Sequence, residues 1–212
     1  MLRTKEFYIL FTIFMLNKSP LLYVATYAKV FGETFESNDR LLSVVIGLCG
    51  VFNAVGRPFW GYISDRFTFK AALFAVCLLT AMSTLVTYFS KFMHTAVFAV
   101  GVWASYFCCC GNYAIFPAAA IYYFGQGGTK YGTLYLSQAL GALFSALIDG
   151  LVPQWLPIVI TVSIVSVMSA GLTLGLMYVP TVRGEVDRQP LLEPEGLEMT
   201  DSTDFSYRKT DR

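Results

Sequence analysis

The chain carries little charge for its length. Only 14% of its 212 residues are Asp, Glu, Lys or Arg, against roughly 25% in a typical soluble domain. Thirteen of these twenty-nine charges follow Thr181, so sixteen remain for the first 180 residues. Apolar residues make up 56% of the chain, and its mean hydropathy is +0.58. This balance predicts a protein that lies in a lipid bilayer.

Signals for nucleic acid, metal or covalent chemistry are also missing. A net charge of +1 provides no basic surface for nucleic acid, which is therefore not an expected partner. The single histidine, His94, stands apart from the five cysteines, which form no CxxC pair, so we expect neither a metal site nor a cofactor. No serine or cysteine has a paired base and acid nearby, which argues against an enzyme.

Six long apolar runs are present. A bilayer core about 30 Å thick needs roughly 20 apolar residues in a helix. The runs occupy about residues 7–30, 41–62, 71–89, 95–123, 132–152 and 156–179. The first resembles a signal peptide at its start, but apolarity continues past Lys18 to about Phe31, which favours a spanning helix. We therefore predict an all-α membrane protein with a six-helix transmembrane bundle at residues 1–180.

The distribution of basic residues predicts the orientation, because basic residues near helix ends are retained in the cytoplasm. Arg40 and Lys91 lie at one predicted face of the membrane. The other face receives Arg3, Lys5, Arg57, Arg66, Lys70, Lys130, Arg183 and Arg188. Both termini are therefore predicted to be cytoplasmic.

The last part of the chain has a different composition. Residues 181–212 are acidic, polar and poor in large apolar residues, which predicts a disordered cytoplasmic tail. Within it, Asp187, Leu191 and Leu192 resemble an acidic dileucine sorting signal, which adaptors read to direct proteins to endosomes and lysosomes. A pattern this short also arises by chance. The expected location is the plasma membrane or an endosomal or lysosomal membrane.

Small residues recur at four-residue spacing in two of the runs. Ser137, Gly141 and Ser145 form one stripe, and Gly171 and Gly175 form a pair. Small side chains allow helix backbones to approach closely within a membrane, so we expect helix contacts at both places.

The loop after the second run carries the most specific motif. Gly61, Asp65, Arg66 and Lys70 stand at the spacing G-x-x-x-D-R-x-x-x-K. This resembles the loop signature of the major facilitator superfamily, although Thr68 replaces the usual second glycine. The resemblance implies a cytoplasmic latch formed by these four residues, with Arg57 close by, that opens as two halves of a carrier rock.

A second resemblance covers about residues 5–180. The pairs Phe116-Pro117, Phe124-Gly125 and Tyr131-Gly132 are spaced as in the carboxyl half of oxalate/formate antiporter-like and monocarboxylate carriers. This implies one half of a major facilitator superfamily fold, that is, six of twelve helices. It also implies a partner: a second six-helix half or a second copy of the chain.

Lys18 is the most informative single residue. It lies near the middle of the first run, where an ammonium group is costly and normally faces a cavity or a partner. Pro20 is expected to break the backbone hydrogen bonds there. Lys18, with Asn17 and Ser19, is therefore predicted to bind an anionic substrate. A snorkelling lysine, or an ion pair with a missing half, is the alternative.

Other polar residues within the runs are weaker candidates. Asn112 either lines the path or makes an interhelical hydrogen bond, and Arg57 either binds an anion or supports the latch. The resemblance implies a lysine on the fifth helix of carriers that bind a dicarboxylate. The nearest polar candidate for binding substrate here is Gln138, whose neutral side chain favours a monocarboxylate or a neutral solute. Asp149 either carries a coupled proton or is an interfacial acid. Tyr113 is expected to be a packing residue.

These features predict a secondary transporter, or half of one, that moves a small organic anion by alternating access. A homodimeric six-helix carrier is the first rival. The second is a membrane adaptor that does not transport and whose tail recruits sorting machinery.

Overall fold

The computed structural model describes residues 4–125, 128–151 and 155–178, all as helices and short connections. Side chains are described for these residues except 128–130, 148, 149 and 178. The helices are α1 (Lys5–Leu16), α2 (Lys18–Gly32), α3 (Asp39–Arg66), α4 (Phe69–Phe89), α5 (Thr95–Phe124), α6 (Gly128–Leu151) and α7 (Trp155–Tyr178), with a 3₁₀ turn at Ser90–Phe92. Over this part of the chain there is no β-strand, which confirms the all-α prediction.

Within the described residues, five stretches are long and apolar enough to cross a membrane: Lys5–Gly32, Asp39–Arg66, Phe69–Phe92, Thr95–Phe124 and Trp155–Met177. The first of them contains both α1 and α2. Helix α6 covers the predicted run at 132–152 but does not belong to this set, so the sixth crossing stays a prediction. The predicted tail and its Asp187, Leu191 and Leu192 lie outside the described residues.

Side chains with the right hydrogen-bonding groups set the helix ends. The Asn38 carboxamide oxygen accepts from the backbone N–H of Leu41 at 3.2 Å and begins α3. Thr68 begins α4 in the same way, with its hydroxyl accepting from Ala71 N–H at 3.2 Å. Because Thr68 has an extended backbone (φ −159°), this turn needs no glycine, which explains the departure from the loop signature.

Helix α5 lies at the centre of the bundle. It packs against α3 and α4, α4 also packs against α7, and α1 and α2 pack against α6. Gly56 of α3 permits the first contact, since a Cβ there would collide with the Cys110 thiol and lie 2.8 Å from the Phe107 carbonyl oxygen. Trp60, one turn later, donates its indole N–H to the same carbonyl at 2.9 Å.

Glycine spacing predicted helix contacts at two places, and the described bundle contains one of them. Gly141 of α6 lies against α1 and α2, where a Cβ would collide with the Met15 carbonyl oxygen. Ser137 and Ser145 on the same face are also buried. At Gly171 and Gly175 a Cβ would meet no neighbouring helix within 4 Å in the described part of the chain. That pair faces outward, so spacing alone did not identify the packed face of α7.

Candidate functional site

The first membrane stretch is divided at Asn17. Pro20 has no N–H, so it cannot donate to the carbonyl of Leu16, the last residue of α1. Helix α2 begins at Lys18, immediately after this break. The break confirms the expectation from Pro20 and places three predicted site residues, Asn17, Lys18 and Ser19, at the junction of two helices.

Lys18 points toward Tyr113 of α5. Its ammonium nitrogen lies 3.3 Å from the Tyr113 hydroxyl oxygen. The guanidinium carbon of Arg57 lies 5.9 Å from the centroid of the same tyrosine ring. Lys18 is half-buried and Arg57 is exposed. The bundle thus brings two basic residues from separate helices to one tyrosine.

Tyr113 is the site residue that sequence reasoning missed, because it was assigned to packing. Its hydroxyl is the signal that could have identified it. A phenol within a membrane helix usually finds a polar partner, and the sequence already placed a cation, Lys18, within the same bundle.

Asn17 and Asn112 bond to each other. The Asn17 carboxamide nitrogen donates to the Asn112 side-chain oxygen at 2.8 Å, and the two residues are 4% and 6% exposed. The Cys77 thiol lies 3.5 Å from Asn17 and 3.5 Å from the Ser169 hydroxyl, which extends the network to α4 and α7. The structure therefore contains the interhelical hydrogen bond that the sequence left as one alternative for Asn112. A direct substrate contact by either asparagine stays a prediction.

Ser19 and Gln138 flank the same break. The Ser19 hydroxyl is fully buried and has no hydrogen-bond partner in the described part of the chain. Gln138 of α6 donates its side-chain amide to the Phe14 carbonyl oxygen at 2.8 Å, and it is 6% exposed.

The predicted latch residues lie at the opposite end of α3 from its cap at Asn38. Asp65 and Arg66 are exposed, and Asp65 forms no ion pair with any residue that the structure describes. Lys70 instead donates to the Leu176 carbonyl oxygen at 2.9 Å, near the end of α7. A Cβ at Gly61 would meet nothing within 4 Å. The latch therefore stays a prediction that requires a partner outside this bundle.

The far end of the bundle carries its own polar contacts. Lys29 lies 2.8 Å from Asp39, an ion pair that links α2 to α3. In the loop between them, hydrogen bonds from the Thr95 hydroxyl (2.7 Å) and the Asn38 N–H (3.0 Å) hold the pKa of Glu36 below its ordinary value.

Among the described residues, His, Cys, Asp and Glu form no cluster able to hold a metal ion. The Asp149 side chain lies outside the described residues.

A sequence profile of the Major Facilitator Superfamily matches residues 1–145. The chain belongs to the major facilitator superfamily. Because its described residues include five membrane-length apolar stretches, it is an integral, multi-pass membrane protein of that superfamily.

Two curated proteins are similar to the chain. Apicoplast pyruvate carrier 1 of Toxoplasma gondii is 28% identical over 158 residues, which cover 70% of this chain and 28% of that carrier. The oxalate:formate antiporter of Oxalobacter formigenes is 27% identical over 151 residues, which cover 68% of this chain and 35% of that protein. The chain therefore spans about a third of the length of the relatives that it matches.

Proposed function

We propose that the chain forms part of a secondary transporter that moves a small organic anion, in particular a monocarboxylate, by alternating access. The observation that carries the proposal is the position of Lys18. A half-buried ammonium group follows the break in the first stretch and is held by a neutral tyrosine hydroxyl rather than by a carboxylate. No carboxylate among the described residues forms an ion pair with it, so a visiting anion can take that place.

The surroundings of Lys18 suit a single carboxylate. Lys18 and Arg57 approach Tyr113 from different helices, so a carboxylate between them would meet two cations and one hydroxyl. Gln138 adds no third charge. The printed names of both relatives also refer to small carboxylates, pyruvate in one case and oxalate and formate in the other.

A carrier of this kind needs a second bundle, and α3 offers a surface for it. In the apolar segment of α3 only 22% of the residues are buried, whereas 50–56% are buried in the apolar segments of the other four membrane stretches. Gly47, Gly50, Ala54 and Gly61 lie within an arc of about 60° on this helix, opposite its contact with α5. A Cβ added at any of the three glycines would meet nothing within 4 Å in the described bundle.

This surface supports the proposal that α3 packs against a second six-helix half or a second copy of the chain. The complete arrangement would have six crossings per bundle and both termini in the cytoplasm. Proton coupling through Asp149 and sorting through the tail belong to the same proposal. The plasma membrane and endosomal or lysosomal membranes remain the proposed locations.

Uptake by Lys18 variants tests the function. The full chain is expressed in cells, its amount in the membrane is measured, and uptake of radiolabelled pyruvate and formate is followed. Lys18→Gln should lower uptake at least about tenfold, because the mid-membrane charge is lost, whereas Lys18→Arg should retain part of it.

Lys91→Gln is the matched control, since Lys91 also bonds to a tyrosine hydroxyl, that of Tyr88 at 2.7 Å, but outside the site. It should leave uptake unchanged. Uptake by Lys18→Gln equal to that of the parent chain would remove Lys18 from the transport path.

A further inference from the structure

The break between α1 and α2 creates a local requirement for hydrogen bonds. Within a membrane, a carbonyl that leaves the helical ladder needs a donor from the protein. Gln138 supplies one, because its buried side-chain amide donates to the Phe14 carbonyl oxygen at 2.8 Å. Phe14 lies in the last turn of α1, immediately before the break.

The same face of α6 also contacts the start of α2. Gly141 lies one turn after Gln138, and a Cβ at this position would collide with the Met15 carbonyl oxygen and lie 2.8 Å from Lys18 Cβ. Gln138 and Gly141 therefore contact the chain on both sides of Asn17. Before the break they contact Phe14 and Met15, and after it they contact Lys18.

We infer that Gln138 is a positioning residue, which fixes the angle between α1 and α2 and thereby directs Lys18 toward Tyr113. The amide holds the end of α1, and the absence of a side chain at Gly141 lets α6 approach the first turn of α2. This inference rests on the proposed function, since it assigns Gln138 to the orientation of Lys18. It replaces the prediction that Gln138 binds substrate directly.

The first experiment measures the angle without requiring transport. Spin labels are attached at Tyr8→Cys of α1 and Val30→Cys of α2, both exposed positions. These positions would be about 33 Å apart along a straight helix. All five native cysteines are buried, and a chain without the two new cysteines measures background labelling. The distance distribution is then compared in detergent between the parent and its variants.

Gln138→Met, which has similar length but no N–H, should broaden the distribution and shift its mean. Gln138→Leu, which also lacks an N–H, serves as a second variant if Gln138→Met does not accumulate. Ser137→Ala is the matched control, because the Ser137 hydroxyl is buried and bonds only within α6, to the Leu134 carbonyl at 2.7 Å. It should leave the distribution unchanged. An unchanged distribution in folded Gln138→Met would overturn the inference.

The second experiment separates positioning from direct binding. In cells, Gln138→Met should raise the KM for pyruvate roughly tenfold with little change in Vmax. In a Lys18→Arg background the same substitution should have a smaller effect, because the two residues act through one element. Equal effects in both backgrounds would mean that Gln138 acts independently of Lys18 and would contradict the inference. If the parent chain does not take up pyruvate, the proposed function fails. The distance measurement then still tests whether Gln138 fixes the angle between α1 and α2.

Discussion

At the scale of single residues, the site is distinguished by what accompanies its cation. Lys18 has a phenolic oxygen, not a carboxylate, at hydrogen-bonding distance. A carboxylate partner would neutralise the ammonium group inside the bundle, whereas a hydroxyl orients it and leaves the charge in place. Tyr113 is therefore expected to set the orientation of the Lys18 ammonium group, and a substitution of Tyr113 tests this directly.

Tyr113→Phe should weaken apparent affinity for pyruvate by roughly 1 kcal/mol, or about fivefold in KM, because the acceptor that orients Lys18 is removed while the ring stays. Uptake kinetics of the full chain measure this change. Tyr106→Phe, on the same helix and half-buried but not bonded to Lys18, provides the control. Equal KM values in the two variants would show that the phenol does not orient the lysine.

Sequence reasoning found Lys18 because charge is scarce in this chain and its cost in a membrane is large. It did not find Tyr113, because tyrosine is common here, with thirteen copies, and its hydroxyl reveals nothing until a partner is known. Asn17 and Asn112 were found as polar residues, but their mutual hydrogen bond depends on how α1 and α5 pack. Local spacing contains no information about that packing.

At the scale of helices, the packing of α3 on α5 depends on one glycine. Gly56 faces the backbone of Phe107. On the opposite face of the same helix, a Cβ at Gly47 would meet nothing within 4 Å in the described bundle. Added atoms in a close helix contact force the backbones apart.

Gly56→Ala should therefore destabilise the bundle by about 1–3 kcal/mol, measured as a lower Tm in detergent. Gly47→Ala should leave the Tm of the bundle nearly unchanged, since its Cβ meets no neighbour. If both substitutions lowered Tm equally, the cause would be the loss of a glycine from α3 in general. The close approach of Gly56 to α5 would then not explain the effect.

The helix boundaries were largely predictable, because apolar runs and breaking residues are local properties. The runs predicted at 95–123 and 156–179 correspond to α5 at Thr95–Phe124 and to α7, which begins at Trp155. The division of the first run at Asn17 followed from Pro20. The orientation of Gly171 and Gly175 was not predictable, because four-residue spacing identifies a face of a helix but not what lies opposite it.

At the scale of the whole molecule, neighbouring helices bury some helices of the bundle much more than others. Helix α5 is enclosed by its neighbours, while α3 contributes Arg57 to the site and leaves most of its own surface uncovered. A site at the edge of a bundle, beside an uncovered helix, suits a substrate that passes between two bundles.

The central claim is that Lys18 binds the negative charge of a small carboxylate. Thermal unfolding of the purified full chain tests it, because a ligand that binds the folded state raises Tm. Pyruvate should raise the Tm of the parent chain by several degrees, while its neutral methyl ester should not. In Lys18→Gln the shift caused by pyruvate should disappear. An equal shift with pyruvate and its ester, or a full shift in Lys18→Gln, would contradict the account.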